Sequence, residues 1–222
     1  MCGQSIETQK AFWDGRYQEE GRIWGDEPSK TAGMALAAFR RHYVESILVP
    51  GAGYGRNARL FSESGFNVDG VEISDAALQL AKVFDSKTTF HFGSALDMSF
   101  VDKNFDAVYG YNVMHLFRQA DRQRFLEACW NKLKDGGFIF LTVFSEMEES
   151  FGRGGEVEPN TFESKPGRPV HYFTDDDLRE HLRSFDIIET GVVADPEDHG
   201  DGPHTHTLRY ILARKPRESV SE

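Results

Sequence analysis

An apolar run that breaks into three alternate glycines, Ile47-Leu-Val-Pro-Gly51-Ala-Gly53-Tyr-Gly55-Arg-Asn57, constrains this chain more than any other segment. A strand is turned sharply into a helix there, because glycine supplies backbone conformations and close approaches that a Cβ forbids. The helix behind the turn opens with N–H groups free to face an anionic or polar ligand group. From position 46 short apolar runs (46–50, 67–73, 88–92, 105–111, 137–144) alternate with amphipathic stretches (56–64, 75–85, 120–133). That succession predicts an α/β fold on a largely parallel sheet, with helices on both faces. Two final β-like runs, 187–194 and 207–213, have only the turn-rich stretch 195–203 between them, so the sheet is expected to end in an antiparallel hairpin.

The remaining segments embellish that core. Residues 8–20 and 29–42 read as helices, and 174–184 as a third whose Thr174-Asp-Asp-Asp177 start can cap itself. The polar stretch 145–170, rich in Gly, Glu and Pro, reads as a structureless lid or binding loop. A single domain over 1–222 is expected, with a helical cover at 1–45, a ligand-binding core at 46–144, a polar insertion at 145–173 and a C-terminal helix and hairpin at 174–214. The 222 residues suit one large domain. A formal charge of −11 argues against a nucleic-acid partner, which would need clustered Lys and Arg. Two cysteines, Cys2 and Cys129, are too few for a disulfide framework. With no apolar run near membrane-spanning length and no leader-like start, a cytoplasmic protein without a membrane partner is the expectation.

Glu72 ends the second apolar run, twenty-one positions after Gly51. A carboxylate at that strand tip, beside the glycine turn, can accept hydrogen bonds from the hydroxyls of an adenosine ribose. A dinucleotide fingerprint spaces its glycines G-x-G-x-x-G, which would require glycine at 56. Arg56 stands there, and the third glycine comes one place early at Gly55. The spacing suits an adenosine cofactor without a pyrophosphate.

On these residues the chain resembles the class I S-adenosylmethionine-dependent methyltransferases over nearly all of 46–212. The carriers are Val49-Pro-Gly-Ala-Gly-Tyr-Gly55, Val71-Glu-Ile-Ser74, Gly93-Ser-Ala-Leu-Asp-Met-Ser-Phe100, Phe105-Asp-Ala-Val-Tyr-Gly-Tyr-Asn-Val-Met-His115 and Leu133-Lys-Asp-Gly-Gly-Phe138. Phe12-Trp-Asp-Gly-Arg-Tyr17 and Ile23-Trp-Gly-Asp-Glu-Pro-Ser29, with Leu48-Val-Pro-Gly51, are similar to the thiopurine and tellurite-resistance type. The resemblance implies a Rossmann-like seven-stranded sheet and S-adenosyl-L-methionine as cofactor. It implies cofactor contacts from Gly51, Ala52, Gly53, Asn57, Glu72, Ile73, Ser94, Ala95, Leu96, Gly110, Tyr111 and Asn112. From the N-terminal segment, which in those relatives folds over the cofactor, it adds Trp13, Arg16, Tyr17 and Trp24, touching the methionine end or closing the pocket. The chain departs from the family at Val49, where an acid is frequent, and at Ser94, where Asp is usual.

The expected reaction is methyl transfer to a small-molecule acceptor, a soft S, Se or Te nucleophile among the options, because such an atom needs no dedicated base. A hydroxyl or ammonium acceptor would need one, and Tyr111, His115 and His171 are the candidates. A non-catalytic cofactor-binding protein on the same fold and an NAD-dependent oxidoreductase are the competing classes. His199, His204 and His206, with Asp198 and Asp201, form a superficial metal cluster. Their turn-like surroundings favour a solvated tip, and no metal is assigned.

Overall fold

A computed structural model describes residues 6–199 and 202–217, the side chain of His199 excepted. Five parallel strands are built first: β1 (Ser46–Pro50), β2 (Asn67–Glu72), β3 (Thr89–Phe92), β4 (Phe105–Tyr111) and β5 (Leu133–Phe144). Their crossovers carry α3 (Arg56–Glu63), α4 (Asp75–Phe84) and α5 (Gln119–Lys132). Two helices precede them, α1 (Ile6–Glu20) and α2 (Lys30–Arg41). The second is capped by Ser29, whose hydroxyl accepts from the Ala32 amide. After α6 (Asp175–His181), the chain closes with the hairpin β9 (Asp186–His199) and β10 (Gly202–Arg214). The seven-stranded sheet runs β3-β2-β1-β4-β5-β10-β9, with β10 antiparallel to both neighbours.

The central strands are buried on both faces, as a sheet sandwiched by helices requires. In β1, Leu48 packs into one core with Val108, Phe125 and Ile139. Its neighbours Ile47 and Val49 point to the other core, with Phe39, Phe61 and Tyr109. This two-residue alternation decides which helices can cover which side. The strand order reverses between β1 and β4, and open α/β sheets bind ligands above such a reversal, at the carboxyl ends of the strands. No helix among the described residues is long and apolar enough to cross a membrane.

Two sequence expectations are corrected. The polar stretch is not structureless: β6 (Gly155–Glu158), β7 (Thr161–Glu163) and β8 (Pro169–His171) form their own antiparallel sheet. A small aromatic cluster of Phe151, Phe162 and Tyr172 gives it a core that its polar composition conceals. Arg118 then holds it to the main body through Glu163 at 2.6 Å. The stretch 195–203 is likewise not a long turn, because the hairpin continues through it, with Pro196 opposite Thr205 and Pro203 opposite Asp198. Proline is tolerated there because β9 is the sheet edge and the outer part of β10 lies beyond its pairing with β5.

Candidate functional site

Above the β1–β4 reversal lies a cavity of about 530 Å³. That falls within the roughly 300–1,000 Å³ typical of small-ligand sites. Its floor is the glycine turn. Gly51 and Gly53 have φ of +66° and +56°, a region that side-chain-bearing residues enter at a cost. A Cβ on Gly51 would run into Val113, and one on Gly53 would sit 2.8 Å from the Tyr17 hydroxyl. The turn is therefore pressed closely from above.

Glu72 leaves the end of β2 with only 5% of its surface exposed. Its Oε2 accepts from the Gly53 amide, and its Oε1 from the amides of Ile73 and Ser74, each at 2.8 Å. Burial pushes its pKa up, and the three amide bonds oppose that rise. The carboxylate is thus held on the cavity wall in one orientation, beside the loop and the strand end.

The N-terminal segment covers the turn. Trp13 and Trp24 pack with Tyr17, Ile23 and Tyr54. Trp24 stacks on Tyr54 at 6.2 Å, and the Tyr54 hydroxyl donates to the Gly25 carbonyl at 2.7 Å. Asp14 anchors α1 by accepting from the Ser74 hydroxyl at 2.7 Å and the Ala76 amide at 3.2 Å.

On the far side, Arg56 reaches from the start of α3 to the hairpin. It donates to the Trp24 carbonyl at 2.9 Å and pairs with Glu197. The single Tyr111 hydroxyl proton lies between Asp195 Oδ2 at 2.8 Å and Glu197 Oε1 at 2.9 Å. Burial alone would raise the Glu197 pKa, but the adjacent guanidinium outweighs it and holds the carboxyl below its usual range. Tyr111 goes the other way: burial first, then the Glu197 charge, push its pKa up. A phenol so placed is not a proton acceptor.

His115, in the 3₁₀ turn at Met114–Leu116, lies flat on Phe144 at 4.2 Å with 3% of its surface exposed. Its Nδ1 and the Oδ1 of Asn112 are buried polar atoms without a protein hydrogen-bond partner, and both residues line the cavity. Burial, with the His206 charge adding to it, holds the His115 pKa down at about 3. The ring is neutral at pH 7 and a weak base. Unfolded, it would bind a proton below its ordinary 6.5, so stability is lost as pH falls from 6.5 toward 3. H115Q removes this titration and is expected to flatten the pH slope of the unfolding free energy by up to about 1.4 kcal/mol per pH unit. Urea melts at pH 5, 6 and 7 measure it, and an unchanged slope would contradict the neutral buried ring.

The cavity wall brings together Trp13, Arg16, Tyr17, Trp24, Gly51, Ala52, Gly53, Asn57, Glu72, Ile73, Ser94, Ala95, Tyr111, Asn112 and His115. Asn57 also serves the scaffold, its Oδ1 accepting from the Ser29 amide at 2.8 Å. Three sequence candidates are off the wall. Leu96 turns into the core. Gly110 is small because a Cβ would lie 2.6 Å from Leu141. His171 is buried behind the insertion, one nitrogen against Thr161 at 2.8 Å and the other against Asp177 at 2.6 Å, so it has no free position for proton transfer.

Sequence reasoning passed over Val113, Phe144, Arg168 and Glu197 and read His206 as part of a solvated tip, yet all five are on the wall. Arg56, also on the wall, was marked in the sequence as the residue standing where a dinucleotide site needs glycine. His206 is on a strand facing Glu148 at 2.9 Å, and that bond raises its pKa against the effect of burial. His204 meets it at 3.1 Å. Among the described residues no group of three or more His, Cys, Asp or Glu is placed to hold a metal. Asp201 and the His199 side chain lie outside the described residues, as does Cys2.

Residues 48–141 match the methyltransferase domain family. An uncharacterized methyltransferase of Schizosaccharomyces pombe is 27% identical over 111 residues, covering 48% of this chain and 76% of its own. A structure described for the conversion of a disulfide bond into a thioacetal group during echinomycin biosynthesis superposes with a TM-score of 0.75 at 18% identity, over 96% of this chain and 95% of its own. The Burkholderia thailandensis 1,6-didemethyltoxoflavin-N1-methyltransferase, with bound 1,6-didemethyltoxoflavin and S-adenosylhomocysteine, has a TM-score of 0.71 at 20% identity, over 97% and 92%. The matched segment contains the glycine turn and Glu72. S-adenosylmethionine is the cofactor, and methyl transfer the activity, that these likenesses support.

Proposed function

We propose that this chain transfers a methyl group from S-adenosylmethionine to a small-molecule acceptor. The observation that carries the reading is Glu72, fixed by three backbone amides on the wall of a covered cavity whose floor is Gly51–Gly53. In this reading Glu72 accepts from the ribose hydroxyls, Ser94 and Ala95 border the adenine, and Trp13, Arg16, Tyr17 and Trp24 enclose the methionine end. Bound there, the cofactor supplies an electrophilic methyl: the acceptor's lone pair forms the new bond while the S–C electron pair returns to sulfur as a thioether. The protein orients the acceptor and keeps water out.

The acceptor is small because the aromatic N-terminal segment and the residues leading into β8 both border the cavity. His115 is neutral with its pKa near 3, Tyr111 is held protonated and His171 faces elsewhere, so none of the three candidates is a general base matched to pH 7. His206, the other imidazole on the wall, has both ring nitrogens engaged, by Glu148 at 2.9 Å and His204 at 3.1 Å. A nucleophile that arrives with its lone pair available, such as a thiolate or selenide, fits this wall. That agrees with the N-terminal likeness to the thiopurine and tellurite-resistance type.

Calorimetry with S-adenosylhomocysteine tests the cofactor half. Binding is expected, with E72A weakening it at least about tenfold, the worth of a charge-assisted bond. A labelled-methyl assay across thiols, amines and phenols tests the rest, with thiols expected to turn over. Absence of binding would sink the reading, and binding without transfer to any acceptor would favour a cofactor-sensing role.

A further inference from the structure

Arg168 stands apart from the other cations around the cavity. On the wall Arg16 and Arg56 each hold a carboxylate, from Glu20 and Glu197, and off it Arg118 and Arg209 do so with Glu163 and Glu146. Arg168 is half-buried on the cavity wall, and among the described residues no acid lies within ion-pair distance of it. The nearby Glu163 is already used by Arg118 at 2.6 Å and by the Gly167 amide at 3.2 Å. The Arg168 guanidinium lies 4.0 Å over the Phe12 ring, which occupies one face of the fork and leaves its edge donors uncommitted. Burial lowers its pKa, and the charge of Arg16 lowers it further.

Arg16 has Glu20, but Arg168 has no acid partner in a partly desolvated place where the Arg16 charge repels it, and it is the uncompensated cation of the pair. An anion beside Arg168 would supply the compensation, and the surrounding wall of Phe12, Phe117, Pro169 and Val170 calls for an apolar body attached to it. Arg16 is assigned with the cofactor's methionine end. Arg168 comes from a different part of the chain, the segment leading into β8.

We propose that Arg168 binds an oxyanion, a carboxylate or phosphate, carried by an apolar methyl acceptor. The inference rests on the methyltransferase reading and gives the acceptor its charge class. Arg168 is a specificity residue here, recognising a group remote from the atom that receives the methyl.

Benzoate, phenyl phosphate and neutral benzamide, titrated into the chain saturated with S-adenosylhomocysteine, distinguish the possibilities. At least one anion should bind about tenfold or more tightly than benzamide, and which one prevails separates carboxylate from phosphate. R168Q should bring all three to within about twofold of one another, R168K should keep part of the preference, and both should bind S-adenosylhomocysteine as wild type does, which also reports that they fold. Equal binding of the three probes to wild type overturns the proposal, as does a preference that survives R168Q. A loss of S-adenosylhomocysteine affinity in R168Q matching the loss of anion affinity would assign Arg168 to the cofactor instead. Failure of wild type to bind S-adenosylhomocysteine at all is a different result, and removes the methyltransferase reading itself.

Discussion

G53V should abolish measurable S-adenosylhomocysteine binding, a loss beyond about a hundredfold, while leaving a folded protein. Position 53 has φ +56°, where an L-residue costs roughly 1–2 kcal/mol and a β-branched one more. Its Cβ would sit 2.8 Å from the Tyr17 hydroxyl, so the turn and the cover cannot both keep their places. Displacing the turn also pulls the Gly53 amide from Glu72, which then loses one of its three fixed donors. Strain, obstruction and misorientation all act at one wall of the cavity, which is why the effect on binding exceeds the effect on stability. Calorimetry measures the first and thermal melting the second. The double variant G53A/Y17F removes the opposing hydroxyl and should bind better than G53A alone. Binding by G53V within threefold of wild type would show that the turn is not the cofactor floor.

R56M should lower stability by about 3–5 kcal/mol, the cost of stranding one partner of a buried ion pair. For a chain of this length that is a fall of roughly 10 °C or more in melting temperature. The Glu197 side chain is 6% exposed and would lose its guanidinium while still sharing the Tyr111 hydroxyl with Asp195. The pH dependence should change as well. In wild type Glu197 has a depressed pKa, so its contribution is present above its ordinary 4.5 and is lost as pH falls through the folded value. Without Arg56 the main charge opposing burial is gone, so the folded pKa rises and R56M should narrow its stability deficit against wild type as pH drops from 7 toward 5. R56M/E197Q should recover most of the loss, because neither charge is then stranded. Melts at pH 5 and 7 on both variants decide it: additive losses, or R56M melting within 2 °C of wild type, would remove the pair from any role in holding the hairpin to the loop.

These two positions also show what could be read in advance. Gly53 announces itself, because alternate glycines after an apolar run have few other reasons to exist. Arg56 was visible only as a missing glycine. That its guanidinium would cross to Glu197, 141 residues away, depends on the hairpin continuing through a segment whose proline and glycine content reads as a turn. The prolines are tolerated because they fall where no ladder hydrogen bond is needed, and edge position is a property of the sheet. His171 failed as a candidate base for a related reason. It is on the short sheet of the insertion, whose core of Phe151, Phe162 and Tyr172 is spread too thinly along the chain to show as a periodic run.

The sequence by itself determined the parallel core, the glycine turn, the acid at the tip of β2 and most of the residues that line the cavity around that turn. Each of these is written in neighbouring residues: strand period, turn chemistry, and a fixed spacing from one strand end to the next. The tertiary structure alone decided the rest of the cavity wall, where Val113, Phe144, Val170, Glu197, His206 and Arg168 meet from segments far apart in the chain. It also decided the protonation states on the wall. His115 is neutral and Tyr111 protonated because burial penalises the charged form of each, while Glu197 is ionised because Arg56 lies against it. Burial and charge proximity arise only when distant segments pack together, so no local pattern could carry them.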